Sequence, residues 1–483
     1  MHRILRLPTE WLLLLSLWEN AVSALAPTQW PLQETLAIPP KEIAVIGGGA
    51  AGTSFAYFLS QSELRENVSI TLFEATGRLG GRALSTSVNG TKVELGASIF
   101  LTENQNLFNA TQTFNLSVSM RPAKSPSRPP WALWNGDSFS FTASTSPSKT
   151  IVDMLWRYGL APLTVRRLAR DAANMFAQGA YDSSTSPSFT TVDELVDILG
   201  LKEFVGVDAR QWFVDRKGVG EKYIQEIVQA ATRVNYAQNL DLNAIAALVC
   251  MAAASGQAIS VAEGNERIFQ QYAKASEAQI HLDTAITSIQ RLPSQEKYAV
   301  TSKNGSTALF DAVVIAVPWS SPNPPLNLVS LRTQPFVIPY IHLHVTIITG
   351  ILRPSYFKLA SGSPVPGTVF TTPNPSIPFY SISILSELPN SSHSIIKIFS
   401  PSRMDDSLLA ALFESIQGDV IRKEWDSYPV LTPKERTDMP VQLDDGVWFV
   451  NGFESVFSTM ESQVVVARKV VGLVKDWIRR RQP

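Results

Sequence analysis

Cysteine is almost absent: Cys250 is the sole one in 483 residues, so no intramolecular disulfide can form. A core of the size this chain can bury needs no covalent staple. Cys250 lies in the apolar run AIAALVCMAAA, which suits a small buried residue rather than a nucleophile. Histidine is scarce as well, and only His281, His342, His344 and His393 follow the N-terminal segment. No Ser/His or His/Asp pair is evident. His342 and His344 alternate on one strand face with no carboxylate or cysteine near them in sequence, so no metal site is expected. Excess charge is also lacking. The 41 basic and 42 acidic residues leave a net charge of −1 and no basic stripe for nucleic acid. The one charge run, Arg479-Arg480-Arg481, could touch anionic lipid peripherally, although such tails are commonly just solvated. No uncharged apolar run approaches the ~20 residues a membrane span needs, so no transmembrane segment is expected.

What the chain does have begins at its N-terminus. Arg3 and Arg6 precede WLLLLSLW, and Ala24-Leu25-Ala26 follows, the layout of a signal peptide over residues 1–26. A proline-punctuated linker over 27–40 comes next. The expectation is a protein of the secretory pathway, secreted or vacuolar/lysosomal. Sequons at Asn67, Asn89, Asn109, Asn115, Asn304 and Asn390 are candidate glycosylation sites.

Residues 43–59 read IAVIGGGAAGTSFAYFL, an apolar strand entering glycines and leaving as a helix. In such a fingerprint Gly47 permits the tight turn and Gly49 lets a pyrophosphate approach the helix N-terminus. Gly52 allows close helix–strand packing. Glu74 ends the second strand, ITLFEA, where a carboxylate can accept from ribose hydroxyls. A second glycine turn follows in EATGRLGGRAL, with Arg78, Gly81 and Arg82 able to bring guanidinium and backbone N–H groups to the same diphosphate. Then comes VELGASIF, whose Gly96 and Ala97 are placed where a flat ring could lie on bare backbone.

These three motifs in this order resemble the amine-oxidase-like FAD oxidases. The resemblance implies FAD as cofactor and an α/β fold: a Rossmann-type FAD-binding domain built from discontinuous segments, with an inserted helical plus β-sheet substrate domain. DAVVIAVP is similar to that family's returning strand. HLDTAITSI is similar to the strand before it, with Ala285 and Ile286 beside the adenine. FVNGFESVFSTMESQ is similar to the C-terminal flavin segment. There Gly452 and Glu454 would meet the diphosphate and ribityl chain, and the backbone of Met460, Glu461 and Ser462 would face the ring at a helix start.

WRYGLAPL, ATRVNYAQNLDLNAIAAL and ISVAEGNERIF resemble the prenylcysteine oxidases, also called prenylcysteine lyases. In this reading Arg233, Asn235 and Tyr236 are the candidate catalytic residues, with caps and salt bridges as their structural alternative. The resemblance implies FAD-binding segments at 41–120, 256–320 and 441–483. A mostly helical substrate-domain insert would occupy 121–255 and a β-rich substrate segment 321–440. It implies cleavage of an S-prenyl-cysteine thioether to cysteine, prenyl aldehyde and H2O2, with O2 as the acceptor. The alternative is a related FAD oxidase acting on another lipophilic compound, such as a specialised metabolite.

Overall fold

A computed structural model describes residues 39–120, 127–182, 188–320 and 326–481. The signal peptide expected over 1–26 lies outside the described residues, as does the linker up to residue 38. From Lys41 onward the chain folds as one unit.

Lys41–Ile46 is apolar through Ile43, Ala44 and Val45, all fully buried, as a strand covered on both faces must be. It pairs in parallel with Val68–Phe73 on one side and Ala312–Ile315 on the other. Gln279–His281 extends one edge of this six-stranded sheet. Val447–Phe449 and an antiparallel Gln442–Asp444 extend the other. Strands from three distant stretches therefore close a single Rossmann-type sheet. The helix Ala50–Ser60 makes the first crossover, and the C-terminal helix Met460–Arg479 packs against it.

The segment read as one strand, HLDTAITSI, is divided. The chain turns at Asp283, with φ at 51°, and Ile286–Leu292 joins a separate four-stranded sheet. In that sheet Asn304-Gly305 closes the hairpin between Lys297–Ser302 and Thr307–Phe310, and Gly305 adopts φ +88°.

The inserted part contains a seven-stranded sheet. Its order is Phe413–Pro429, Tyr340–Leu352, Ser394–Ser400, Ser381–Glu387, Thr368–Thr371, Ala132–Trp134 and Phe139–Thr142. Two features depart from expectation. The stretch 121–255, read as mostly helical, supplies the last two of these strands, Ala132–Trp134 and Phe139–Thr142. Phe413–Pro429, FESIQGDVIRKEWDSYP, does not look like a strand because it is charged. It is the sheet edge, where charge keeps an open ladder from pairing with other chains.

This edge strand also brings carboxylates to the histidines. Its register sets Glu424 opposite His344 and Asp426 opposite His342. His342 Nδ1 lies 3.0 Å from Asp426 Oδ1, and His344 Nδ1 lies 3.3 Å from Glu424 Oε2. The absence of a nearby carboxylate was true of the sequence neighbourhood and is corrected by cross-strand pairing.

Helices fill the remainder of the insert, among them Pro147–Tyr158, Ala161–Tyr181, Gln229–Tyr236 and Ala244–Ser255. Asn243 caps the last of these through its Oδ1, which accepts from the Ala246 N–H at 3.0 Å.

Candidate active site

A cavity of about 2400 Å³ lies between the two sheets, lined by Gly47, Gly49 and Glu74 at one end and by Leu343, Phe399 and Trp425 of the seven-stranded sheet elsewhere. Ordinary ligand sites measure roughly 300–1,000 Å³, so this one has room for two bound molecules.

The nucleotide end is built from backbone. Gly47 sits at φ +110°, and a Cβ there would be 2.5 Å from the Ala316 carbonyl oxygen. A Cβ on Gly52 would be 1.9 Å from the Gly47 oxygen, which explains why helix and strand can pack so closely. Gly49 differs: its Cβ would meet only Gly81 Cα, at 3.7 Å. The second glycine turn docks on the first, with the Gly80 N–H donating to the Gly48 oxygen at 2.9 Å. Between Gly49 and Gly81 the two turns face each other without side chains. The helix that starts at Ala50 has no side-chain cap and no acidic residue in its first turn, so its positive end is left for an external anion.

Glu74 Oε2 accepts from the Gly48 N–H at 2.8 Å and Oε1 from Thr76, which fixes its carboxylate at the cavity wall. Arg78 Nη2 donates to the Gly81 oxygen at 2.8 Å and so shapes the second turn. Its Nη1 is buried and without a partner among the described residues. Ala285 and Ile286 line the cavity on the same side.

The C-terminal segment behaves differently from expectation at two positions. Gly452 is off the cavity wall; its free side faces Met439 Cγ and Val192 Cγ2, where a Cβ would come within 2.9 and 3.2 Å. Glu454 does line the cavity, but its carboxylate is committed to protein partners. It pairs with Arg82 and accepts from the Tyr340 hydroxyl at 2.6 Å. Burial depresses the Arg82 pKa, yet the Glu454 carboxylate more than offsets this and leaves it raised. Met460 and Glu461 both line the cavity at the start of their helix. The Ser462 N–H is taken by Thr459 Oγ1 in a capping box, and the Glu461 carboxylate holds Asn106, Leu107 and Tyr181. Burial nonetheless raises the Glu461 pKa.

Gly96 and Ala97 also line the cavity. The flat ring against Gly96 is the protein's own: a Cβ there would be 2.7 Å from Trp425 Cζ2. Beside it, fully buried Asn265 donates its Nδ2 to the Ala97 oxygen and its backbone N–H to Glu94 Oε1, each at 2.7 Å. Lys397, which sequence reading passed over, donates to the Glu94 oxygen at 3.0 Å and to Ser98 Oγ at 2.8 Å at the cavity wall. Its signal was a lone cation in the apolar strand SIIKIFS. Gln463 was missed for lack of any motif; neither of its amide atoms finds a partner among the described residues, and it too lines the cavity.

Burial raises the Glu94 pKa from 4.5 to about 7; the Asn265 N–H opposes the rise and the Glu266 carboxylate adds to it. Folding therefore favours the protonated acid. Its contribution to stability is complete below the unfolded pKa of 4.5 and is lost as pH rises through about 7. Glu94→Gln should stabilise the protein at pH 8 by up to about 3 kcal/mol and change little at pH 4. Thermal denaturation across that range checks this; parallel curves for both proteins would contradict it.

Of the three catalytic candidates, Asn235 and Tyr236 reach the cavity and Arg233 does not. Arg233 donates to Thr371 Oγ1 and Asn239 Oδ1, both at 3.1 Å, and lies over the Tyr380 ring. It ties the helix Gln229–Tyr236 to the seven-stranded sheet, and burial lowers its pKa. The Asn235 Nδ2 donates back to the Ala231 oxygen. The Tyr236 hydroxyl donates to the Ser458 oxygen at 3.1 Å, and burial raises its pKa well above the ordinary phenol value.

Unpartnered Glu94 Oε2 and Gln463 on the cavity wall, together with the uncapped helix start at Gly49, fit a bound dinucleotide rather than a closed core. A fold that opens its nucleotide turns onto one end of a deep cavity, and walls off the rest with inserted elements, defines an oxidoreductase in which cofactor and substrate share one chamber. Solved structures share this fold. A putrescine oxidase double mutant superposes with a TM-score of 0.57 at 13% identity, covering 92% of this chain and all of that one. A fatty acid isomerase from P. acnes does so at 0.55 and 15%, covering 89% and 98%. The prenylcysteine lyase family model matches residues 141–482, and a NAD(P)-binding Rossmann-like domain model matches 45–114. Farnesylcysteine lyase of Arabidopsis thaliana is 29% identical over 90% of this chain and 88% of its own. Prenylcysteine oxidase 1 of Homo sapiens is 27% identical over 94% and 92%. The chain belongs to the prenylcysteine lyase family, a family of flavoprotein oxidases.

Proposed function

We propose that this chain binds FAD and oxidatively cleaves the thioether of an S-prenyl-cysteine. The observation that carries the reading is the single chamber, with bare glycine turns at one end and apolar helical walls at the other. When bound, FAD supplies the two-electron acceptor and returns the electrons to O2. The overall change balances as R–S–CH2–R′ + O2 + H2O → R–SH + R′–CHO + H2O2. The carbon beside sulfur is oxidised, water adds to it, and the hemithioacetal collapses with loss of the thiol. Sulfur and the allylic double bond share the positive charge that develops, so the chain needs no strong base.

Its own residues have simpler work. Gly47, Gly49, Gly81 and Glu74 would hold the dinucleotide, with Arg78 shaping the second turn behind them, and Arg82–Glu454 would brace the wall beside it. Lys397 would hold a fixed cation at the cavity wall, tied to the Glu94 carbonyl and Ser98, able to offset negative charge on a reduced cofactor. Phe176, Leu248, Val249, Met251 and Phe370 give the prenyl chain an apolar wall. Burying such a chain is worth about 0.8 kcal/mol per methylene before ordering costs. The names of the relatives, farnesylcysteine lyase and prenylcysteine oxidase 1, support this substrate class.

The N-terminal layout supports a place in the secretory pathway. Asn89, Asn109, Asn115, Asn304 and Asn390 are exposed and Asn67 is half-buried, so five sequons are open to a glycan. Anaerobic addition of farnesylcysteine to the purified yellow protein should bleach its visible absorbance, whereas cysteine alone should not. Bleaching by neither would overturn the substrate, and a colourless protein would overturn the cofactor.

A further inference from the structure

The helices Pro147–Tyr158 and Ala161–Tyr181 form a hairpin with an unusual outer face. Val152 and Trp156 lie one helical turn apart, and Leu160 and Leu163 carry the stripe across the connection, with Ile151 beside it. All five are exposed: Trp156 by 92%, Leu160 by 71%, Val152 by 60%, Ile151 by 57% and Leu163 by 53%. Scattered apolar residues on a surface are ordinary; five large ones on one hairpin are not.

The hairpin is held firmly from behind. Arg157 makes a two-pronged pair with Glu226 at 3.0 and 2.8 Å, the Tyr158 hydroxyl donates to the same carboxylate at 2.6 Å, and Tyr158 packs edge-on against Tyr223. Trp156 is thus presented on a braced element. Further along the second helix come exposed Arg166, Arg167 and Arg170, opposed in sequence only by Asp171. Lys149 and Asp153 on the first helix neutralise each other at 2.7 Å.

The inner side of the same hairpin is cavity wall. Met154, Pro162, Arg166, Ala169, Arg170 and Ala173 line the chamber, and three of these, Arg166, Arg170 and Ala173, are also exposed. The chamber therefore reaches the surface along this helix, next to the apolar stripe.

We propose that the 147–163 hairpin docks into the interfacial region of an anionic membrane and opens the chamber towards it. Tryptophan and leucine suit the depth of the headgroup–acyl boundary, and arginines on the adjoining face suit anionic headgroups. Among the described residues no helix is long and apolar enough to cross a membrane. Docking stands on the hairpin itself. Delivery of a lipophilic substrate from the bilayer to the chamber rests on the function proposed above.

The test is co-sedimentation of the full-length, flavin-loaded protein with phosphatidylcholine vesicles containing or lacking 30 mol% phosphatidylserine (about that fraction suffices to set an anionic surface potential). Binding is expected to the anionic vesicles, to weaken with salt, and to fall about tenfold or more in a Trp156→Ser/Leu160→Ser variant. Neither residue lines the chamber, so turnover of detergent-free farnesylcysteine should be unchanged in that variant, while turnover of vesicle-embedded substrate should drop. No binding by the parent, or equal binding by the variant, overturns docking. A dimer in light scattering that the variant dissociates also overturns it, and assigns the stripe to a second copy. Retained docking without farnesylcysteine turnover would instead overturn the substrate reading and leave docking standing.

Discussion

A Gly49→Val protein should fold, purify and be colourless. Gly49 caps its helix at φ −81° and ψ −165°, an extended conformation that a β-branched residue adopts without strain. Its Cβ would find only Gly81 Cα, 3.7 Å away, so the polypeptide loses little. The valine methyls would instead project into the cavity at the uncapped helix start, which is the place left for a diphosphate. Flavin affinity should fall by more than about tenfold, some 1.4 kcal/mol. Flavin content against a thermal melt reads both quantities from one preparation. Full flavin content in a folded Gly49→Val protein would contradict the assignment of the turns. Gly47 and Gly52 could not serve, because a Cβ at either strikes backbone at 2.5 or 1.9 Å and would damage the fold itself.

The second large effect belongs to Arg82. Glu454 is completely buried, and its charge is met by the Arg82 guanidinium and the Tyr340 hydroxyl. Arg82 also donates to the Ser427 oxygen at 3.0 Å, so it ties the second glycine turn to the edge strand as well as to the C-terminal segment. Arg82→Ala leaves a buried carboxylate with only neutral donors, the Tyr340 hydroxyl at 2.6 Å and the Ser458 hydroxyl at 3.5 Å. That should cost about 3–5 kcal/mol of stability in denaturant titration. Adding Glu454→Gln to Arg82→Ala should recover a substantial part, because the penalty comes from the stranded charge. A loss of under about 1 kcal/mol would show that the pair is dispensable.

The nucleotide end of the site was readable from sequence because its requirements are backbone requirements. Gly47 and Gly52 each answer a separate steric demand, and the strand before and helix after them carry their own periodicity. The C-terminal segment was less readable. Glycine at 452 and an acid at 454 suit a cofactor loop, yet Gly452 packs on Met439 and Val192 and Glu454 neutralises Arg82. What a buried side chain touches is decided by strands far away in sequence, which no local pattern records. Arg233 shows the same limit: a helical arginine next to a chamber became a tie to Thr371 in the neighbouring sheet. Trp425 and the partners of His342 and His344 all arrive on Phe413–Pro429, an edge strand whose charge conceals its alternation. Lys397 was legible in principle. A single cation among SIIKIFS has to find partners inside, and it finds them at the Glu94 carbonyl and Ser98.

The central claim is a chemical one, and product balance tests it most directly. The flavin-loaded protein, supplied with farnesylcysteine in air-saturated buffer, should release free cysteine thiol, farnesal and H2O2 in equal amounts, with one O2 consumed for each. Thiol release without peroxide, or peroxide without thiol, would contradict oxidative cleavage of the thioether by this chain.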